Sequence, residues 1–232
     1  MDFTIERKNY QHIHMIPKSG KYSHLIIFLH GLGDSPHSYV DIFENSNILP
    51  ENIPIKIICL QSPISFVHGF PLPSWFTITK FPIDSERCYN FEEAQKSTKI
   101  IDVVIEEEVK LLNGKYEHIY VGGFSQGACL SLYTGLTYKH LLGGVIVLSG
   151  ALFPQTKILD SNKDLKIFIG HGTNDDVISC EPSEESMKPI KNFSGFKRIL
   201  YPGEGHCICQ KEIEDLKHFL ISLYLYHQNF LK

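Results

Sequence analysis

From residue 24 onward, short unbroken apolar runs alternate with longer stretches in which apolar residues recur every three or four positions. The first pattern predicts strands buried on both faces, the second amphipathic helices. His24–Leu29, Ile53–Leu60, His118–Phe124, Gly144–Leu148, Leu165–Ile169 and Phe196–Tyr201 read as strands. A first helix is expected over Pro36–Asn45, with Ser35 as its cap and Pro36 in its first turn. A long helix opens on an Asn90/Glu93 capping box and carries Ile100, Ile101, Val104, Ile105, Val109 and Leu112 on one face. Further helices are expected over Gln126–Thr137, near Glu184–Lys191, and after His206, where Ile213, Leu216, Phe219, Leu220 and Leu223 align. Alternating segments near Phe3–Glu6 and Tyr10–Ile16 predict two opening antiparallel strands. Strand following helix following strand implies an α/β chain with a mainly parallel sheet and helices on both faces.

One stretch resists this reading. Between Gln61 and Tyr89, Pro63, Pro71, Pro73 and Pro82 interrupt any regular element, yet Phe66, Phe70, Leu72, Trp75, Phe76 and Phe81 lie there. So apolar a connection either folds onto the core or lines a ligand surface, and the pattern leaves both open.

Composition narrows the class. With 232 residues, 43% apolar and 21% charged, the chain reads as one soluble globular domain over residues 1–232. A formal charge of -4 without a Lys/Arg run excludes a nucleic-acid partner. Six scattered cysteines, and an opening Met1–Arg7 without an apolar signal core, predict reduced thiols in the cytoplasm. No apolar run is long enough for a transmembrane segment, and neither terminus carries a lipidation motif. His206-Cys207-Ile208-Cys209 lacks a second ligand pair, so neither metal nor other cofactor is expected.

The chemistry centres on Gly123-Phe124-Ser125-Gln126-Gly127, a G-x-S-x-G sequence between a predicted strand and a predicted helix. That is the pattern of a nucleophile elbow, where the glycines admit a tight turn that a larger side chain would obstruct. Loops leaving the other strand ends carry His30–Asp34, Asp175/Asp176 and His206. Sites in open α/β sheets lie beyond the carboxyl ends of the strands. Ser125 needs a base within reach, and His206 fills that role better than His30 or His171, which read as loop braces. Spacing does not choose between Asp175 and Asp176 as the group that orients the imidazole. Oxyanion donors are expected at the backbone N–H of Gln126 and, from the loop after the His24–Leu29 strand, of Leu32.

Taken together, Phe28–Asp34, Pro73-Ser74-Trp75-Phe76, Gly122–Gly127, Ser131-Leu132-Tyr133-Thr134, His171-Gly172-x-x-Asp175 and His206-x-x-Cys209-x-x-Glu212 resemble the acyl-protein thioesterase and lysophospholipase/carboxylesterase group of α/β-hydrolases. The resemblance implies Ser125, Asp175 and His206 as a triad and Leu32 with Gln126 as the oxyanion hole. It also implies that the Trp75 loop forms an acyl channel, with Phe66, Phe70, Leu72, Trp75 and Phe76 as its apolar walls. The implied activity is hydrolysis of fatty acyl thioesters or esters through an acyl-enzyme on Ser125. Substrates would be S-acylated proteins or small acyl esters and lipids, with transient contact to a membrane surface. The alternatives are a short-chain carboxylesterase and a non-catalytic relic that binds an acyl group or partner, which the intact Ser125, His206 and Asp175 oppose. The chain departs from the family at Thr77, at Thr173 with Asp176 in place of a proline, and at Cys207.

Overall fold

The apolar runs form strands because a strand covered by helices on both faces has no solvent side to tolerate a polar residue. A computed structural model describes residues 2–8, 11–46, 48–50, 53–83 and 85–229, Lys8 and the last four by backbone alone. In chain order the elements are β1 (Phe3–Lys8), β2 (His12–Pro17), β3 (His24–Leu29), α1 (His37–Asn45), β4 (Ile55–Leu60), β5 (Ile64–Val67) and β6 (Phe70–Pro73). There follow α2 (Phe91–Leu111), β7 (Ile119–Phe124), α3 (Gln126–Thr137), β8 (Gly144–Leu148), β9 (Ile167–Gly172), α4 (Cys180–Ser186), β10 (Phe196–Tyr201) and α5 (Gln210–Asn229). Eight strands make one sheet in the order β1-β2-β4-β3-β7-β8-β9-β10. β2 pairs antiparallel with both β1 and β4, and every pairing from β4 to β10 is parallel. This is the mainly parallel sheet that the strand and helix pattern predicts, and it accords with the α/β-hydrolase fold that the resemblance implies.

Strand alternation sorts the core into two layers. Leu25, Ile27 and Leu29 of β3, Val121 of β7, Val145 and Val147 of β8 and Ile169 of β9 share one cluster with Ile101 and Ile105 of α2 and Leu132 of α3. The intervening residues Ile26, Phe28, Ile146 and Phe168 face Phe43 of α1 and Leu216, Phe219 and Leu220 of α5. All the parallel strands therefore present their carboxyl ends on one edge of the molecule.

Several boundaries differ from expectation. The second opening strand begins at His12 and includes Pro17; its expected start at Tyr10 lies outside the described residues. Pro36, not Ser35, caps α1 and makes no side-chain bond; the Asp34 carboxylate instead accepts from Ser35 N–H and Ser38 Oγ. The helix expected near Glu184–Lys191 lies earlier, at Cys180–Ser186. Pro189 disfavours helical geometry at its predecessor, whereas Pro182 falls in the first turn, where the missing N–H has no role. β9 runs on through Gly172, which brings the acid loop directly onto the end of a strand. The proline-broken stretch contains the β5–β6 hairpin, turned at His68 and Gly69, both at positive φ. Its prolines sit in a two-stranded ribbon, where few N–H groups are needed for pairing.

At the opposite edge, by the amino ends of the strands, Lys56 of β4 and Glu108 of α2 form a buried ion pair of 2.5 Å. Tyr22 donates its hydroxyl to the second Glu108 oxygen at 3.2 Å. Removing one member of such a pair strands the other charge in the interior. We predict that Glu108→Ala lowers the unfolding free energy by about 3–5 kcal/mol in urea titration while leaving the surroundings of Ser125 unchanged. A loss below about 1 kcal/mol, the value of an exposed pair, would refute this.

Candidate active site

Ser125 stands between β7 and α3 with φ 56° and ψ -119°, a conformation few non-glycine residues adopt. Its N–H donates to the Leu148 carbonyl at 2.9 Å, tying the turn to β8. The flanking glycines are demanded by close approach rather than by their own backbone angles. A Cβ on Gly123 would lie 2.5 Å from Gly127 C and 2.7 Å from Leu29 O, and one on Gly127 only 2.3 Å from Leu29 O. The helix thus seats directly on the end of β3, and Ser125 is raised at the turn with its side chain largely covered.

Two long loops meet it. His206, in the turn after β10, places Nε2 2.8 Å from Ser125 Oγ. Its Nδ1 lies 2.7 Å from Asp175 Oδ2. The other Asp175 oxygen accepts the N–H groups of Val177 at 2.9 Å and Ile178 at 2.8 Å. His171 stacks a further contact on the carboxylate, its Nε2 3.3 Å from Oδ2 while also reaching the Ile178 carbonyl at 2.8 Å. Burial alone would raise the Asp175 pKa, but the bonds from His171 and His206 and the Ile178 N–H outweigh it and hold the carboxyl well below its usual range. Asp176 is exposed, so between the two aspartates the geometry brings only Asp175 to His206. The two loops are stitched together by Asn174 N–H to Glu204 O at 2.8 Å and Gly203 N–H to Thr173 Oγ1 at 2.9 Å.

The loop after β3 approaches from the other side. A Cβ on Gly31 would sit 3.4 Å from Ser125 Cβ. Buried His30 braces this loop. Its Nε2 accepts the Ser62 N–H at 3.1 Å, which leaves Nδ1 to donate to Gly31 O at 2.6 Å. Neither Leu32 N–H nor Gln126 N–H is engaged by a carbonyl among the described residues, and Gln126 opens α3, where N–H groups lack intrahelical acceptors.

Gln126 has a second task that sequence reasoning missed. Its Oε1 accepts Trp75 N–H at 2.8 Å, and its Nε2 donates to Ser74 Oγ at 3.1 Å and Phe76 O at 2.6 Å. Trp75 Nε1 in turn donates to His30 O at 2.9 Å. The segment after the hairpin is therefore clamped onto the elbow. Those partners lie some fifty residues away in sequence, and no periodicity connects them. The five apolar residues expected to wall a groove consequently separate. Trp75 and Phe76 are each 2% exposed and pack in the core, Leu72 is half-buried, and Phe66 and Phe70 are 73% and 67% exposed on the hairpin. The hairpin base is joined to the loop after β3 by Gly33 N–H to Pro73 O at 2.8 Å.

Residues 10–224 match the family model described as phospholipase/carboxylesterase. An acyl-protein thioesterase 1 from Cryptococcus neoformans is 33% identical over 236 residues, covering 91% of this chain and 97% of that protein. Another from Mycosarcoma maydis is 35% identical, covering 88% and 93%. Among solved structures, a variant of Arabidopsis thaliana SOBER1 superposes with a TM-score of 0.78 at 25% identity, covering 87% of this chain and 99% of that one. The Zea mays acyl-protein thioesterase 2 has the same fold, with a TM-score of 0.72 at 24% identity over 91% and 98% of the two chains.

The Gln126 clamp is open to a direct test, because Trp75 is the only tryptophan. We predict that Gln126→Leu, which strands the buried Trp75 N–H, lowers stability by about 1–3 kcal/mol and shifts Trp75 emission to longer wavelength. Unchanged emission and melting temperature would mean that the clamp carries no load.

Proposed function

The chain belongs to the phospholipase/carboxylesterase family, and from that premise we propose that Ser125, His206 and Asp175 are its catalytic triad, acting on fatty acyl thioesters and esters. Membership, and relatives named as acyl-protein thioesterases, make the chain a hydrolase of the serine type directed at acyl substrates. The observation that carries the mechanistic reading is the unbroken hydrogen-bond chain from Ser125 Oγ through His206 to Asp175.

In this reading His206 Nε2 takes the Ser125 proton as Oγ attacks the acyl carbonyl. Asp175, still ionised, holds the Nδ1–H and stabilises the imidazolium that forms. The tetrahedral oxyanion is received by the N–H groups of Gln126 and Leu32, each worth about 2.7–4 kcal/mol when such a donor is removed elsewhere. His206 then hands its proton to the departing thiolate or alkoxide, leaving an acyl-enzyme on Ser125. A water activated by the same imidazole hydrolyses it.

S-acylated proteins and acyl lipids or small esters are the substrates this surface suits. Phe66 and Phe70, exposed on a hairpin whose base is tied to the site, offer an apolar wall for an acyl chain and a point of transient contact with a membrane surface. Among the described residues no helix is long and apolar enough to cross a membrane. Six unpaired cysteines favour a reducing, cytoplasmic setting, and one catalytic domain spans the chain. One observation favours the short-chain carboxylesterase instead: with Trp75 and Phe76 in the core, only Leu72, Phe66 and Phe70 remain to extend a groove.

Two groups of outcomes are expected, the first on the proposed triad. Ser125→Ala folds but loses several powers of ten in turnover and all labelling by a fluorophosphonate, on the order of triad losses generally. Asp175→Asn is far more damaging than Asp176→Asn; equal effects in a p-nitrophenyl ester assay would sink the assignment of the acid. The second expectation concerns substrate. Each buried methylene contributes roughly 0.8 kcal/mol, so kcat/KM should rise with acyl length until the wall ends. Replacing Phe66 and Phe70 by Ser should flatten that rise. A rise that survives intact would move the acyl site away from the hairpin.

A further inference from the structure

One buried ionisable group near the site has no part in the proposed chemistry. Glu212, in the first turn of α5, is 2% exposed, and its Oε1 has no hydrogen-bond partner. Its carboxyl receives the backbone N–H of Cys209, three residues after His206. This is the returning half of a capping box, here swallowed by the core. The carboxyl lies flush on β9: a Cβ added to Gly170 would fall 1.9 Å from Oε1 and 2.7 Å from Cδ. Two residues further along the same face, a Cβ on Gly172 would fall 2.4 Å from the carbonyl oxygens of both Glu204 and Gly205. The outer face of β9 thus reads Phe168, Gly170, Gly172, with Phe219 of α5, the Glu212 carboxyl and the turn before His206 stacked along it in that order.

We propose that Glu212 is a positioning residue for His206: wedged between Gly170 and the Cys209 N–H, its carboxyl sets the height at which the His206 turn rides over β9. The proposal rests on the triad reading. The turn is otherwise held at Glu204 by Asn174 N–H and at Gly203 by Thr173 Oγ1, both on its near side. Glu212 supplies the anchor on its far side, so that the imidazole is fixed between two points. The groups around the carboxyl are Glu204 and Cys207 in the turn, Cys209, and Tyr201 at the end of β10 with its hydroxyl on Asp215. None is a cation. Burial therefore pushes the Glu212 pKa up to about 8, with Glu204 adding to the rise and the Cys209 N–H opposing it. The wedge is a neutral acid at neutral pH. Because its value is raised on folding, its stabilising effect is full at acid pH and is lost as pH climbs from the ordinary carboxyl range through about 8.

The test compares Glu212→Gln and Glu212→Ala with wild type and Ser125→Ala in an ester assay across pH, beside thermal melts. Glu212→Ala should lower kcat by about 10- to 100-fold with KM little changed, as expected when a reacting group shifts by less than 1 Å. Glu212→Gln, a neutral isostere that still accepts the Cys209 N–H, should restore kcat. Wild-type kcat should fall above about pH 8, and Glu212→Gln should lack that fall and gain melting temperature relative to wild type as pH rises. A folded Glu212→Ala with wild-type kcat, or an alkaline fall that persists in Glu212→Gln, would overturn the proposal. If Glu212→Ala does not fold, the pH profile of Glu212→Gln decides alone. Near-normal turnover in Ser125→Ala would instead refute the triad, which keeps the two failures apart.

Discussion

Ser125 is held in a backbone conformation that an L-residue adopts at a cost of order 1–3 kcal/mol, and much of the surrounding structure follows from holding it there. The turn exists only because α3 can press onto the end of β3, and that approach leaves no room for a side chain at Gly123 or Gly127. Its N–H is spent on β8 and its carbonyl on the first turn of α3, so the strained residue is tied to the two stiffest elements near it. What the turn achieves is direction. The hydroxyl faces His206, and the unengaged N–H groups of the helix start lie beside it.

Everything else at this edge is brought to that point by loops, and loops need braces. The four that converge are held by three different devices. The loop after β3 is fixed through the His30 ring, whose hydrogen bonds assign its tautomer without ambiguity. The segment around Trp75 is fixed by the Gln126 amide. The loops that carry Asp175 and His206 are fixed to each other and to β9, with Asp175 kept ionised by donors on nearly every side. A buried carboxylate satisfied this fully can orient an imidazole without taking its proton. Glu212, a few residues beyond, is buried among groups that offer it one N–H and no cation, and so it is the neutral counterpart of Asp175.

The hairpin differs from these loops in turning its largest apolar side chains outward. It is a two-stranded ribbon whose outer face carries Phe66 and Phe70, yet its base is bonded to the loop that bears Leu32.

The sheet and its two helical layers were legible in the chain, since a two-sided core demands strands such as Leu25–Leu29 and Val145–Leu148 that are apolar at every position. The elbow was equally legible, because close packing at Gly123 and Gly127 leaves a local signature. So was the gathering of the loops that carry Ser125, Asp175 and His206 at the carboxyl ends of the strands. Spacing alone left Asp175 and Asp176 equivalent, and only the resemblance favoured Asp175; the folded arrangement supplies the physical reason, for adjacent residues differ in which one the end of β9 turns toward His206. Nor could the pattern say that Trp75 and Phe76 enter the core while Phe66 and Phe70 stay in water. That division depends on the Gln126 clamp and the His68-Gly69 turn, and hydrophobicity alone is the same for a ring on either side of them. The buried state of Glu212 was hidden for the same reason. A glutamate in the first turn of a helix ordinarily faces solvent, and it is the bare Gly170 opposite that draws this one inside.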